Sequence, residues 1–110
     1  MAVLSLQTIT AAGLTPSYTT AAAGGDKVSL GASNIFLHVK NGGGSSITVT
    51  LTTQANNYKG LTVPDRTVTV GTAAEKMIGP IDPALHGDTN NQVNIAYSAV
   101  TSVTVAALRI

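Results

Sequence analysis

The chain has no cysteine and no tryptophan, one phenylalanine and three tyrosines, and only 10% of its 110 residues are Asp, Glu, Lys or Arg. Without cysteine there is neither a disulfide framework nor a cysteine-held zinc. Six basic residues against five acids, a net charge of +1, make no basic face, so no nucleic-acid partner is expected. No run approaches the roughly 18 apolar residues of a transmembrane helix. The first residues also lack the basic start and unbroken apolar stretch of a signal peptide, so no membrane partner is expected. Disorder is excluded by the opposite test: Leu, Ile, Val and Phe total 28 residues while charge is low.

What is abundant is β-forming. Thr, Val and Ile make up 34 residues, and the length is that of one domain. From Met1 to Gly25 there is no charged residue and no histidine. Residues 1–25 therefore read as a distinct N-terminal arm or strand, with 26–110 as the sandwich domain. Val3 to Thr10 predicts one short strand. Residues 11–25, punctuated by Gly13, Pro16 and Gly24-Gly25, predict loop or extended arm. Such an arm either joins the domain's own sheet or lies on a neighbouring subunit. In the second case, deleting residues 2–20 would leave a folded core and weaken assembly.

Beyond Asp26 the alternation is clear. Ile35, Leu37 and Val39 form one apolar row, with Phe36, His38 and Lys40 opposite. Ile47, Val49 and Leu51 alternate with Thr48, Thr50 and Thr52. The intervening Asn41-Gly42-Gly43-Gly44-Ser45-Ser46 predicts a hairpin tip joining the two runs. Further strands are predicted at 67–70, 77–78, 93–97 and 103–108, with a turn over 71–76. The sum is all-β: a small antiparallel β-sandwich, jelly-roll or Ig-like, of about seven short strands with an extended N-terminal arm.

Chemistry finds little to work with. The acids are Asp26, Asp65, Glu75, Asp82 and Asp88, and the histidines are His38 and His86, with no Gly-x-Ser-x-Gly elbow. They read as surface and turn residues, so no enzyme, catalytic residue or cofactor is expected. Asp82, His86 and Asp88 cluster within seven residues, but the nitrogen and sulfur donors of a zinc site and the Gly and Glu of a calcium loop are missing, so no metal is expected. The three glycines lack the lysine and helix of a phosphate loop. Contact residues are the better expectation. Val3, Leu4, Leu6, Ile9 and Leu14 are the spaced apolar residues of the uncharged arm, and Tyr18, Phe36 and Tyr58 are the amphipathic or outward aromatics. Tyr97, within a strand, reads as packing at the core edge. Low charge on a threonine-faced surface favours coverage by partners.

Four stretches carry a resemblance over most of the chain: MAVLSLQTIT–AAGLTPSY, FLHVKNGGGSSITVT, DRTVTVGTAAEKMIGPIDP and YSAVTSVTVAALRI. With these the chain resembles small tailed-bacteriophage virion proteins of the head decoration, or cement, type. The resemblance implies a β-rich structural protein made in the host cytoplasm. It would bind the major capsid protein on the capsid exterior and stabilise the shell, as a homo-oligomer with a trimer favoured. Alternatives are a head–tail or tail component, or an Ig-like module binding carbohydrate on a cell surface.

Overall fold

The structure, a computed structural model, describes residues 2–31, 34–52, 64–81, 86–87 and 90–110. Among the described residues ten strands follow one another: β1 Ala2–Leu4, β2 Leu6–Thr8, β3 Thr19–Thr20, β4 Asp26–Ser29, β5 Ile35–Asn41, β6 Ile47–Leu51, β7 Arg66–Val70, β8 Ala74–Ile78, β9 Gln92–Tyr97 and β10 Val103–Arg109. They build an all-β sandwich of two five-stranded sheets. The first is ordered β1-β4-β9-β6-β7 and the second β2-β10-β5-β8, with β3 also on β10. An immunoglobulin sandwich pairs ABED with CFG; here β4 to β10 are ordered β4-β9-β6-β7 and β10-β5-β8.

Period-two patterning sets the core. Val28, Val93, Ile95, Ile47, Val49, Leu51 and Val70 face inward from the first sheet, and Ile35, Leu37, Val39, Val103, Val105, Ala107 and Ile78 from the second, all buried. On the outside of the first sheet, Thr48 stands opposite Thr69 and Thr50 opposite Thr67, a block of threonines.

Several expectations need correction. The sheets are mixed rather than antiparallel: β1 runs parallel to β4, and β2 parallel to β10. The predicted single strand over residues 3–10 is two, because the chain changes sheets at Ser5. Leu4 and Leu6 both turn toward the interior, one from each sheet. The turn over 71–76 is shorter, and β8 already begins at Ala74, whose N–H donates to the Gly71 carbonyl at 3.1 Å.

The predicted hairpin between residues 35–40 and 47–52 does not form. β5 pairs with β10 and β8, and β6 with β7 and β9, so the connection is an arch between sheets. Asn41 is the cause. Its side chain is buried, and Nδ2 donates to the carbonyls of Ser45 at 2.8 Å, Val70 at 3.2 Å and Gly71 at 3.2 Å, while Oδ1 accepts from the Gly43 N–H at 3.0 Å. One amide thus ties backbone groups of the arch to those of the β7–β8 turn.

The N-terminal residues belong to the sandwich. β1 closes one edge of the first sheet, while β2 and β3 share the outer edge of β10. Gly25 lets the chain enter β4: its φ is +92°, and a Cβ there would sit 2.5 Å from the Ile95 carbonyl oxygen.

Candidate functional site

The outer face of the second sheet is the most differentiated surface. Along β10, Ala106 and Leu108 point outward, opposite His38 and Phe36, yet are only 2% and 4% exposed. Burial on an outward row requires a cover. The segment from Ile9 to Tyr18, which leaves β2 and returns to β3, spans that row. It is fastened at two points. The Gln7 side-chain amide makes paired bonds with Ser17, Nε2 donating to the carbonyl and Oε1 accepting from the N–H, both at 2.8 Å. The second point is Tyr18.

Tyr18 contacts His38 edge to face, with ring centroids 5.4 Å apart, and its hydroxyl lies 2.7 Å from Nδ1. His38 Nε2 lies 3.2 Å from Glu75 Oε1 on β8. A ring carrying its hydrogen on Nε2 satisfies both contacts: the phenol donates to Nδ1 and Nε2–H donates to the carboxylate. Lys40 Nζ stands 4.1 Å from the centre of the Tyr18 ring, in cation–π range. His38 is therefore on the expected outward face but is itself buried, covered by Tyr18. Hydroxyl, imidazole and carboxylate are ordered as in a proton relay. The phenol, however, is aimed down into the sheet rather than out toward a reactant, so the cluster holds the strap.

Beyond the strap this face turns apolar. Asn34, Phe36, Met77, Gly79, Pro80 and Ile110 line an open groove of about 460 Å³. Met77 and Ile110 are 66% and 68% exposed. Ile9, 38% exposed, extends β2 beside Ile110, since its N–H donates to the Arg109 carbonyl at 2.9 Å, with Met77 across the sheet on β8. The ends of β2, β10 and β8 and the start of β5 bring these residues together. Gly79 permits the close packing, as a Cβ there would lie 2.6 Å from Phe36 Cβ.

The sequence-predicted contact residues separate accordingly. Ile9 and Phe36 lie on the apolar end. Tyr18 and the half-buried Leu14 belong to the strap, and Val3 is exposed on the outside of the first sheet. Leu4 is only 6% exposed and Leu6 packs against the core, so neither offers a contact surface; their side chains point into the interior. Tyr58 lies outside the described residues. Met77, Pro80 and Ile110 were missed because each sits at a strand end, where period two carries no signal.

One buried polar pair also departs from expectation. Asp26, read as a surface acid, is fully buried; its Oδ2 accepts from the Tyr97 hydroxyl at 2.8 Å and the Ala22 N–H at 3.3 Å. Burial, then the hydrogen bond to Asp26 and the Asp26 charge, push the Tyr97 hydroxyl far above its ordinary 10.0. A folded-state value raised above the unfolded one contributes stability that is complete below about pH 10 and is lost as pH rises beyond it. Tyr97→Phe is expected to cost about 1–3 kcal/mol at pH 7, since it leaves Asp26 with one partner fewer. The variant should also lose less of its remaining stability between pH 9 and about 11. Urea midpoints at the two pH values check both. Equal losses in the two proteins count against the pair.

Among the described residues no group of three acids or histidines gathers to hold a metal, and Asp82 and Asp88 lie outside them. His86 is buried, with Nδ1 3.4 Å from the Thr52 carbonyl oxygen. No family model matches the chain, and neither a curated protein nor a solved structure matches it.

Proposed function

We propose that this chain is a structural, non-enzymatic protein of a bacteriophage virion, which docks on the outside of the capsid and stabilises the shell. The observation that carries the reading is the apolar end of the second sheet: Ile9, Phe36, Met77, Pro80 and Ile110 meet there on a chain with only 10% charge. Exposed apolar side chains gathered in one place mark a protein contact. The resemblance along the whole chain to head decoration proteins supplies the partner, the major capsid protein.

A decoration protein acts by linkage. It binds only the assembled lattice, so each bound copy lowers the free energy of that state, by about 2.7 kcal/mol at a hundredfold excess over Kd. Capsids of the parent phage lacking this protein should therefore bind it on co-sedimentation. They should also lose integrity at a higher temperature with the protein than without. Failure to bind those shells, or binding to tail tubes in their place, overturns the reading.

A further inference from the structure

We infer that Asn41-Gly42 is a deamidation site that the fold keeps closed, so that opening of the chain is recorded irreversibly at Asn41. Among the asparagines of the sequence, Asn41 alone precedes a glycine. Glycine has no side chain to shield its amide nitrogen, so in this pair the nitrogen most readily reaches the preceding side chain. The Gly42 nitrogen attacks Asn41 Cγ and forms an N–Cγ bond. The Cγ–Nδ2 bond breaks, and ammonia leaves with the proton that the Gly42 nitrogen gives up. Water opens the resulting succinimide at Cγ, giving aspartate, or at the main-chain carbonyl, giving isoaspartate.

The native fold withholds each requirement of that reaction. Asn41 ends β5, in register with Val103 of β10 and Ala74 of β8, whereas ring closure needs its backbone to leave the extended strand. The nucleophile is engaged, because the Gly42 N–H donates to the Ser102 carbonyl at 2.9 Å. The leaving amide is engaged too, Nδ2 donating to the carbonyls of Ser45, Val70 and Gly71, while Oδ1 is held on the Gly43 N–H. Asn41 is only 2% exposed, so the water that must open the ring is shut out. Neither product fits the place it came from. Aspartate sets an oxygen against the three carbonyl oxygens that Nδ2 served, and a buried carboxylate without donors is costly. Isoaspartate adds a methylene to the main chain at the end of β5 and carries its carboxylate on a shortened branch. Conversion therefore occurs from the open chain and bars it from closing again, which makes unfolding a one-way loss. This inference is independent of what the folded chain docks on.

The experiment ages the full chain in mildly alkaline buffer, once folded and once in urea, and follows residue 41 by peptide mass spectrometry with an isoaspartate assay. In urea, Asn41 should convert before any other asparagine. In the folded chain it should convert more than about a hundredfold more slowly, because its rate follows the population of open molecules. Gly42→Ala, aged in urea where folding plays no part, should slow conversion by about tenfold or more, since the added methyl shields the nitrogen. Anion exchange then separates converted from unconverted chains. When urea is removed, the unconverted chains should regain the native circular dichroism and melting curve, and the converted ones should not. Comparable rates in the folded and urea-treated chains overturn the inference. So does Gly42→Ala converting like wild type, or a converted chain that regains the native melting curve.

Discussion

A chain lacking residues 2–20 is expected to be unfolded or aggregated under conditions where the full chain is stable. The truncation removes β1 from one sheet and β2 and β3 from the other, stripping an edge from each. It withdraws Leu4 from the core, worth roughly 2 kcal/mol, and a similar amount with the packed Leu6. It also uncovers Leu108 and Ala106 and leaves His38 without Tyr18. The combined loss is about 5 kcal/mol or more, comparable with the whole stability of a small domain. Newly bared edges at β4 and β10 then invite intermolecular pairing. Circular dichroism melts and light scattering decide it. A truncated chain that melts like the full one would mean the N-terminal strands are ornaments to an independent core.

Asn41→Ala carries the second large effect. The substitution strips the Ser45 carbonyl and the Gly43 N–H of their Asn41 bonds and cuts the tie to the carbonyls of Val70, in the β6–β7 ladder, and Gly71, which keeps the Ala74 N–H. Each buried polar group left unmet costs about 1–3 kcal/mol, though water reaches some of them. A total of about 3–5 kcal/mol is expected from urea unfolding. Asn41→Asp sharpens the test. It keeps the acceptor for Gly43 but turns an oxygen on three carbonyl oxygens, so it should be at least as damaging at pH 7 and recover partly in acid. A cost under about 1 kcal/mol for Asn41→Ala would show that the arch holds without its amide.

Alternation made the strands legible. Residues 47–52 and 93–97 are readable because one face of each is buried and the other is not, and 35–40 and 103–108 because their inward rows alternate in sequence even though part of each outer row is also buried; the observed strands differ by a residue or two. Partnership was not legible. Asn41-Gly42 is a hairpin signal on local grounds, but a buried amide bonding to residues 29 and 30 positions away redirects the chain. The missing charge of residues 1–25 was visible, and two destinations fitted it. Which one holds depends on parallel pairing with β4 and β10, a long-range choice without a local pattern. His38 was placed on the correct face of its strand, while its burial depends on Tyr18, twenty residues earlier.

The order of the strands has a consequence in time. Nearly every connection from β4 to β10 changes sheets; only β6 and β7 are neighbours both in sequence and in the same sheet. In the first sheet β9 stands between β4 and β6, and in the second β10 stands between β2 and β5. The strands that precede β9 can thus form only the separate pairs β1–β4, β5–β8 and β6–β7. Both sheets are completed only when β9 and β10, the last of these strands in chain order, arrive. Such non-local closure places folding in the slow range, milliseconds to seconds. Until then β2 and β3 have no strand to dock on, while β1 has β4, and this is the interval in which the chain is most exposed to its own copies.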